Sequence, residues 1–149
     1  MAVKLERRIG IQAPDEIVWE LLSDVPGWAT WNPLYPRAEG EIRIGHRWDL
    51  DLALPGQTLR TIKPVILDWA PYDHIHWRLD MMRGWMRTVR FLEIEKMGEE
   101  NVIFSNGEIF DGWLGPSAAR RLRRPILDGF EALNEALKAR AEAIWAERK

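Results

Sequence analysis

Hydrophobic positions recur at two different periods along the chain, and the change of period divides it. In VKLERRIGI, Val3, Leu5, Ile9 and Ile11 alternate with Lys4, Glu6 and Arg8, the period of a strand with one buried face; Arg7 falls on the apolar side. APDEIVWELLSD then opens with Pro14 ahead of Asp15 and Glu16, where a helix N-terminus favours acids, and Ile17, Val18, Leu21, Leu22 and Val25 form a helical stripe. VPGWATWNPLYP carries three prolines and a glycine, so only a single helical turn around Trp28 to Trp31 fits there. From Ala38 the pattern is a run of strands: AEGEIRIG, HRWDLDLALPG, QTLRTIKPVILDW, HIHWRLDM, MRTVRFLEIEKMG and NVIFSNGEIF. Gly45, Pro55-Gly56, Pro71-Tyr72-Asp73, Gly84 and Gly98-Glu99 punctuate them closely enough for antiparallel hairpins.

After DGWLGP the period becomes helical, with Ile126, Phe130, Leu133, Leu137, Ala141 and Ile144 at steps of three and four, and Pro125 marks a start, stop or kink. The order predicts an α+β fold in one domain over residues 1–149. An antiparallel sheet with one apolar face needs a cover, and the last helix is the only element long enough to supply it. If the sheet curves around that helix, the space between them is a natural small-molecule site.

Composition narrows the function classes. The 21 Lys and Arg nearly balance 23 Asp and Glu, so no global field recruits nucleic acid or an anionic membrane. There is no cysteine, which excludes disulfides, thiol catalysis and thiolate metal sites. The charged start MAVKLERRIG is unlike a signal peptide and no apolar run approaches the ~20 residues of a membrane span, so the expected location is cytoplasmic, without integral membrane association. Nine tryptophans against four phenylalanines stand out, because indoles often line ligand grooves as well as cores.

Charge interrupts three of the apolar stripes. Arg7 breaks the first; Arg90 breaks Met86, Leu92, Ile94; Asn106 and Glu108 break Val102, Phe104, Phe110. These residues form a buried ion-pair network that fixes register, or leave an arginine donor for a ligand oxyanion, or mark a slipped register. His74 and His76 have a metal-ligand spacing, but Ile75, Trp77 and Leu79 are the better core residues, which sends the histidines to the solvated face; no metal is expected. Asp49 and Asp51 go to water by the same logic, opposite Trp48, Leu50 and Leu52. No nearby serine completes a nucleophilic triad with His46. The four arginines between Arg120 and Arg124 read as a solvated face; a contact with an acidic or phosphate-bearing partner is the sharper alternative, and without interleaved aromatics nucleic acid is not expected.

IQAPDEIVWELLSDVPGWATWNP, LALPG, GEIFDGWLG and GFEALNEALKARAE, in that order and nearly end to end, resemble the SRPBCC superfamily of Bet v 1/START-like helix-grip proteins, nearest its bacterial polyketide cyclase/dehydrase-like branch. The resemblance implies a curved seven-stranded antiparallel sheet gripping the C-terminal helix, two short helices after the first strand, and adjacency of the first, last and penultimate strands. Arg7, Glu108 and Arg90 are then expected to meet as an Arg-Glu-Arg arrangement. The resemblance also implies a cavity lined by Arg7, Trp77, Arg90, Leu92, Phe104, Asn106, Glu108, Phe110, Phe130, Leu133 and Leu137. Trp28, Trp31, Met82, Trp85 and Trp113 are expected at its rim, with homodimer contact the alternative for the apolar loop MMRGWM.

Relatives commonly carry histidine where this chain has Arg90 and Asn106, so histidine-based chemistry is not expected, while the glutamate is kept as Glu108. The fold does not choose among carriers, cyclases and chaperone activators. The expectation is binding of a small hydrophobic or amphipathic molecule (lipid, polyketide or aromatic type) with no cofactor. A cyclase or dehydratase using Glu108 as acid/base, and an Hsp90-activator-like interaction protein, are the alternatives.

Overall fold

The computed structural model describes residues 2–149. Strand β1 (Val3–Ile11) leads into helix α1 (Asp15–Ser23), whose start is set by Pro14 in extended geometry with its carbonyl accepting from the amides of Ile17 and Val18. A tight turn follows over Pro26–Thr30, then β2 (Arg37–Glu39), β3 (Asp49–Leu52), β4 (Arg60–Ile62), β5 (Val65–Ala70), β6 (His74–Met81), β7 (Met86–Gly98) and β8 (Asn101–Asp111). Helix α2 (Gly115–Arg121) and the long helix α3 (Arg123–Arg148) close the chain.

All strand pairs are antiparallel, in the order β1-β8-β7-β6-β5 and β2-β3-β4. The first strand thus lies beside the last, and the last two pair. The two sheets join where the Gly45 and Trp48 amides donate to the carbonyls of Ile66 and Pro64, and the Ile66 amide to His46. Among the described residues there are eight strands rather than seven, because Pro64 interrupts the segment expected as one strand and separates β4 from β5.

Between the sheet and α3 lies one core. Helix α3 buries Ile126, Leu127, Phe130, Leu133, Leu137 and Ala141 at helical spacing, and Pro125 sits in its first turn, where a missing N–H costs nothing. At one end Trp28, Trp48, Trp77 and Tyr35 interlock, with neighbouring centroids 5.3 to 5.8 Å apart. Trp28, expected at a rim, is fully buried in this cluster with its Nε1 donating to the carbonyl of Leu22. The Asn32 side-chain oxygen accepts from the amides of both Leu34 and Tyr35, each at 3.0 Å, and this locked turn is what delivers Tyr35 to the interior. Among the described residues no helix is long and apolar enough to cross a membrane.

Candidate functional site

Strands β7 and β8 place Arg90 directly opposite Glu108, on the face turned toward α3. Arg90 is 2% exposed. Its Nε donates to the Tyr35 hydroxyl at 2.9 Å, and its Nη1 donates to Asn106 Oδ1 at 2.6 Å and to the Gly107 carbonyl at 2.7 Å. The guanidinium lies 4.4 Å from the Phe130 ring centroid, 5.3 Å from that of Trp77 and 5.6 Å from that of Tyr35. Asn106 passes the connection on, its Nδ2 donating to Asn134 Oδ1 at 3.1 Å and to the Phe130 carbonyl at 3.3 Å. A charge is thereby buried without a hydrogen-bonded ion pair, held by neutral acceptors and aromatic faces.

The expected Arg-Glu-Arg arrangement does not form. All of Arg90's hydrogen bonds go to neutral groups, and Arg7 is exposed, in a surface concavity with Arg120, Arg121, Arg123, Arg124 and Leu127. Arg7 does share a face with Leu5, but β1 is the sheet edge and the break between α2 and α3 leaves that position uncovered; a guanidinium beside four others stays hydrated.

Glu108 instead borders a cavity of about 70 Å³ between β6, β7, β8 and the α2–α3 elbow. Its lining includes Tyr35, Trp77, Thr88, Arg90, Glu108, Phe110 and Phe130, with Leu54, Arg60 and Ile62 from the β3–β4 hairpin and Ala118, Leu122 and Ile126 from the helices. Burial raises the Glu108 pKa, only partly offset by the Arg90 charge and a weak interaction with the Thr88 hydroxyl. Thr88 Oγ1 and Arg90 Nη2 are both buried with no hydrogen-bond partner of normal geometry. Burial likewise raises the Tyr35 pKa, against the pull of Arg90.

Residues 2–142 match the family described as "Polyketide cyclase / dehydrase and lipid transport". The chain belongs to that family. No curated protein matches it. Among solved structures, the ZhuI aromatase/cyclase of Streptomyces sp. R1128 is 22% identical with a TM-score of 0.76, covering 95% of this chain and 94% of that one. A START superfamily protein of Mycobacterium smegmatis is 17% identical at TM-score 0.72, over 95% and 98% of the two chains. Major latex-like protein 151 of Panax ginseng is 15% identical at TM-score 0.75, over 94% and 97%. These likenesses establish the START/Bet v 1-like helix-grip fold.

Within this family member, the residues expected to line the cavity divide. Trp77, Arg90, Glu108, Phe110 and Phe130 line it. Leu92, Phe104, Leu133 and Leu137 are each 0% exposed in solid core, where sheet and helix pack without a gap, and Asn106 lies behind Arg90 in the polar network. Met82, Trp85 and Trp113 are exposed on the surface, the two indoles packing together at 4.9 Å, while Met81 and Met86 flanking that turn reach the cavity wall. Trp31 is half-buried against Trp28. Asp49 and Asp51 are clamped by Arg37, whose Nη2 contacts them at 2.5 and 3.0 Å, and Arg37 with Thr61 lowers the Asp51 pKa.

Three contributors escaped the sequence reading. Asn134 is the i+4 neighbour of Phe130 on the buried stripe of α3, so its polar side chain there was a readable signal. Thr88 sits two residues before Arg90 on the same strand face, a second signal. Tyr35, between prolines in an irregular segment, has no periodicity to reveal it.

Proposed function

We propose that the protein binds a small, largely apolar, oxygen-bearing molecule of lipid, polyketide or aromatic type in the cavity between the sheet and α3. The observation that carries this reading is a set of buried polar atoms without hydrogen-bond partners on a largely apolar wall, Thr88 Oγ1, Arg90 Nη2 and Trp77 Nε1, with the Glu108 carboxyl beside them. A buried unpaired donor costs about 1–3 kcal/mol, which a ligand oxygen relieves on binding. Arg60, exposed on the β3–β4 hairpin, adds a cation where the cavity opens. A volume of about 70 Å³ holds only a few atoms, so a larger ligand enters by displacing that hairpin. The test is a thermal-shift and tryptophan-fluorescence screen of fatty acids, flavonoids and aromatic polyketides, since selective binding to the native state raises Tm. A hit should lose its effect in Thr88→Val and Glu108→Gln; silence across every class counts against the proposal.

Glu108 supports a second reading, as general acid/base in a cyclase- or dehydratase-like reaction. Its carboxyl faces the cavity free of Arg90's hydrogen bonds, and its raised pKa brings it toward the range where proton transfer at neutral pH is efficient. Under this reading Glu108→Gln abolishes turnover of a poly-β-keto substrate while leaving its binding within a few fold. Equal loss of both returns the residue to binding alone.

A further inference from the structure

The convex face of the sheet carries a second cluster, unrelated to the cavity because successive residues of β6 point to opposite sides. Ile75 and Trp77 are buried; His74 and His76 project outward, rings stacked at 4.4 Å. The neighbouring strand is irregular at this point. Ile66 pairs with Trp77 and Asp68 with His76, leaving Leu67 as the extra residue of a bulge. In an unbroken register Leu67 would oppose His76, and Asp68 would turn inward beside Ile75. The bulge leaves Leu67 37% exposed and brings Asp68 onto the histidine face.

Each imidazole is oriented. His74 is held between two carboxylates, its Nδ1 2.5 Å from Asp73 Oδ2 and its Nε2 3.2 Å from Asp68 Oδ2, so a metal ion at Nε2 takes the place of a proton there while Asp73 keeps the ring oriented through Nδ1. That Nε2 is buried, and its contact with Asp68 lacks the angle of a normal hydrogen bond. His76 Nε2 lies 2.8 Å from Glu93 Oε2, and Glu93 is the cross-strand partner of His74. One ligand atom each from Asp68, His74 and His76 lies within 4.8 Å of the others.

We propose that Asp68, His74 and His76 bind one divalent transition-metal ion of the Zn²⁺ class, with Glu93 as fourth ligand and Asp73 as a positioning residue behind His74. Two imidazoles with carboxylates suit Zn²⁺, Co²⁺ or Ni²⁺, whereas Ca²⁺ and Mg²⁺ need mainly oxygen donors. Tetrahedral bonds of ~2.1 Å need ligand separations of about 3.4 Å, reached by rotations of the exposed Asp68 and the half-buried histidines, and for Glu93, which touches His76 but lies outside that trio, by a larger swing of its half-exposed carboxylate. The ion ties β5, β6 and β7 together on the outside of the cavity wall.

The test is calorimetric titration of the untagged, metal-stripped full chain with Zn²⁺, paralleled by Co²⁺ absorption in the visible. One saturable site is expected, with Tm raised by Zn²⁺. His76→Gln and Asp68→Asn should each weaken Zn²⁺ binding at least tenfold, Asp73→Asn by about tenfold, and the cavity variant Glu108→Gln not at all. Apo melting curves establish that each variant folds; should His76→Gln not fold, the exposed-site change Asp68→Asn decides. No saturable binding by the wild-type chain overturns the proposal, and so does undiminished binding by a folded Asp68→Asn variant.

Discussion

Arg90 Nη1 donates to Asn106 Oδ1 at 2.6 Å, and through Asn106 the central strands are hydrogen-bonded to Asn134 on the terminal helix. This one side-chain amide accepts from a buried guanidinium on one side and donates to a helix residue on the other. Asn106→Leu is therefore expected to cost about 3 kcal/mol, since it strips an acceptor from a buried charge. Arg90→Met/Asn106→Leu, which removes the charge together with its acceptor, should recover a substantial part of that loss. Urea denaturation of both single variants and the double variant checks this, with the coupling read from the double-mutant cycle.

The same pair shows how far the sequence was legible. The two-residue period placed Phe104, Asn106, Glu108 and Phe110 on one face, and that face is the one turned to the helix. It also placed Arg7 on the face of Leu5, correctly as to side, yet Arg7 is in solvent. Period tells which side of a strand a residue occupies; whether another element covers that spot is a property of the packed whole. Tyr35 marks the other limit, because it reaches Arg90 by a turn held by Asn32. The empty volume also falls at one end of the α3 stripe, beside Phe130 and Ile126, while Leu133 and Leu137 pack solidly; side-chain identity alone carries no record of that void.

Glu108→Gln should change the pH dependence of stability with a definite sign. Because burial raises the folded-state pKa above the unfolded value, native protein binds this proton more tightly than unfolded chain does. The stability it contributes is complete below the unfolded pKa and is lost as pH rises through the folded one. The variant lacks this loss, so its Tm should exceed that of the wild type at pH 8 by a few degrees, the shift that ~1 kcal/mol produces in a chain of this size. At pH 4 the two should converge. Melting curves across pH 4 to 8 decide; a variant less stable at pH 8 would show the carboxylate to be well paired.

Gly107 opposes Phe91 across β7 and β8, and a Cβ there would lie 2.1 Å from the Phe91 ring carbon Cζ. The ring covers the glycine on the convex face, with the Lys4 ammonium 5.2 Å from its centroid. Gly107→Ala should destabilise by more than 1 kcal/mol despite alanine's better strand propensity, since the ring must move and the Gly107 carbonyl anchors Arg90. Adding Phe91→Leu should return part of the stability. The measurement is the denaturation midpoint of the single and double variants.

Thr88→Val separates folding from binding most cleanly. The Thr88 side chain is 1% exposed, and its hydroxyl finds no partner of normal geometry. Replacing Oγ1 with a methyl of nearly the same shape removes an unmet hydrogen-bonding group, so Tm should stay the same or rise slightly. A ligand oxygen placed between Thr88, Arg90 and Glu108 loses one donor, so affinity for any molecule found to fill the cavity should fall by about tenfold, the effect of ~1.4 kcal/mol. Thermal melts and ligand titrations on the same samples give both numbers. A clear drop in Tm would mean that the hydroxyl is structural, and unchanged affinity would place the ligand head elsewhere along the cavity wall.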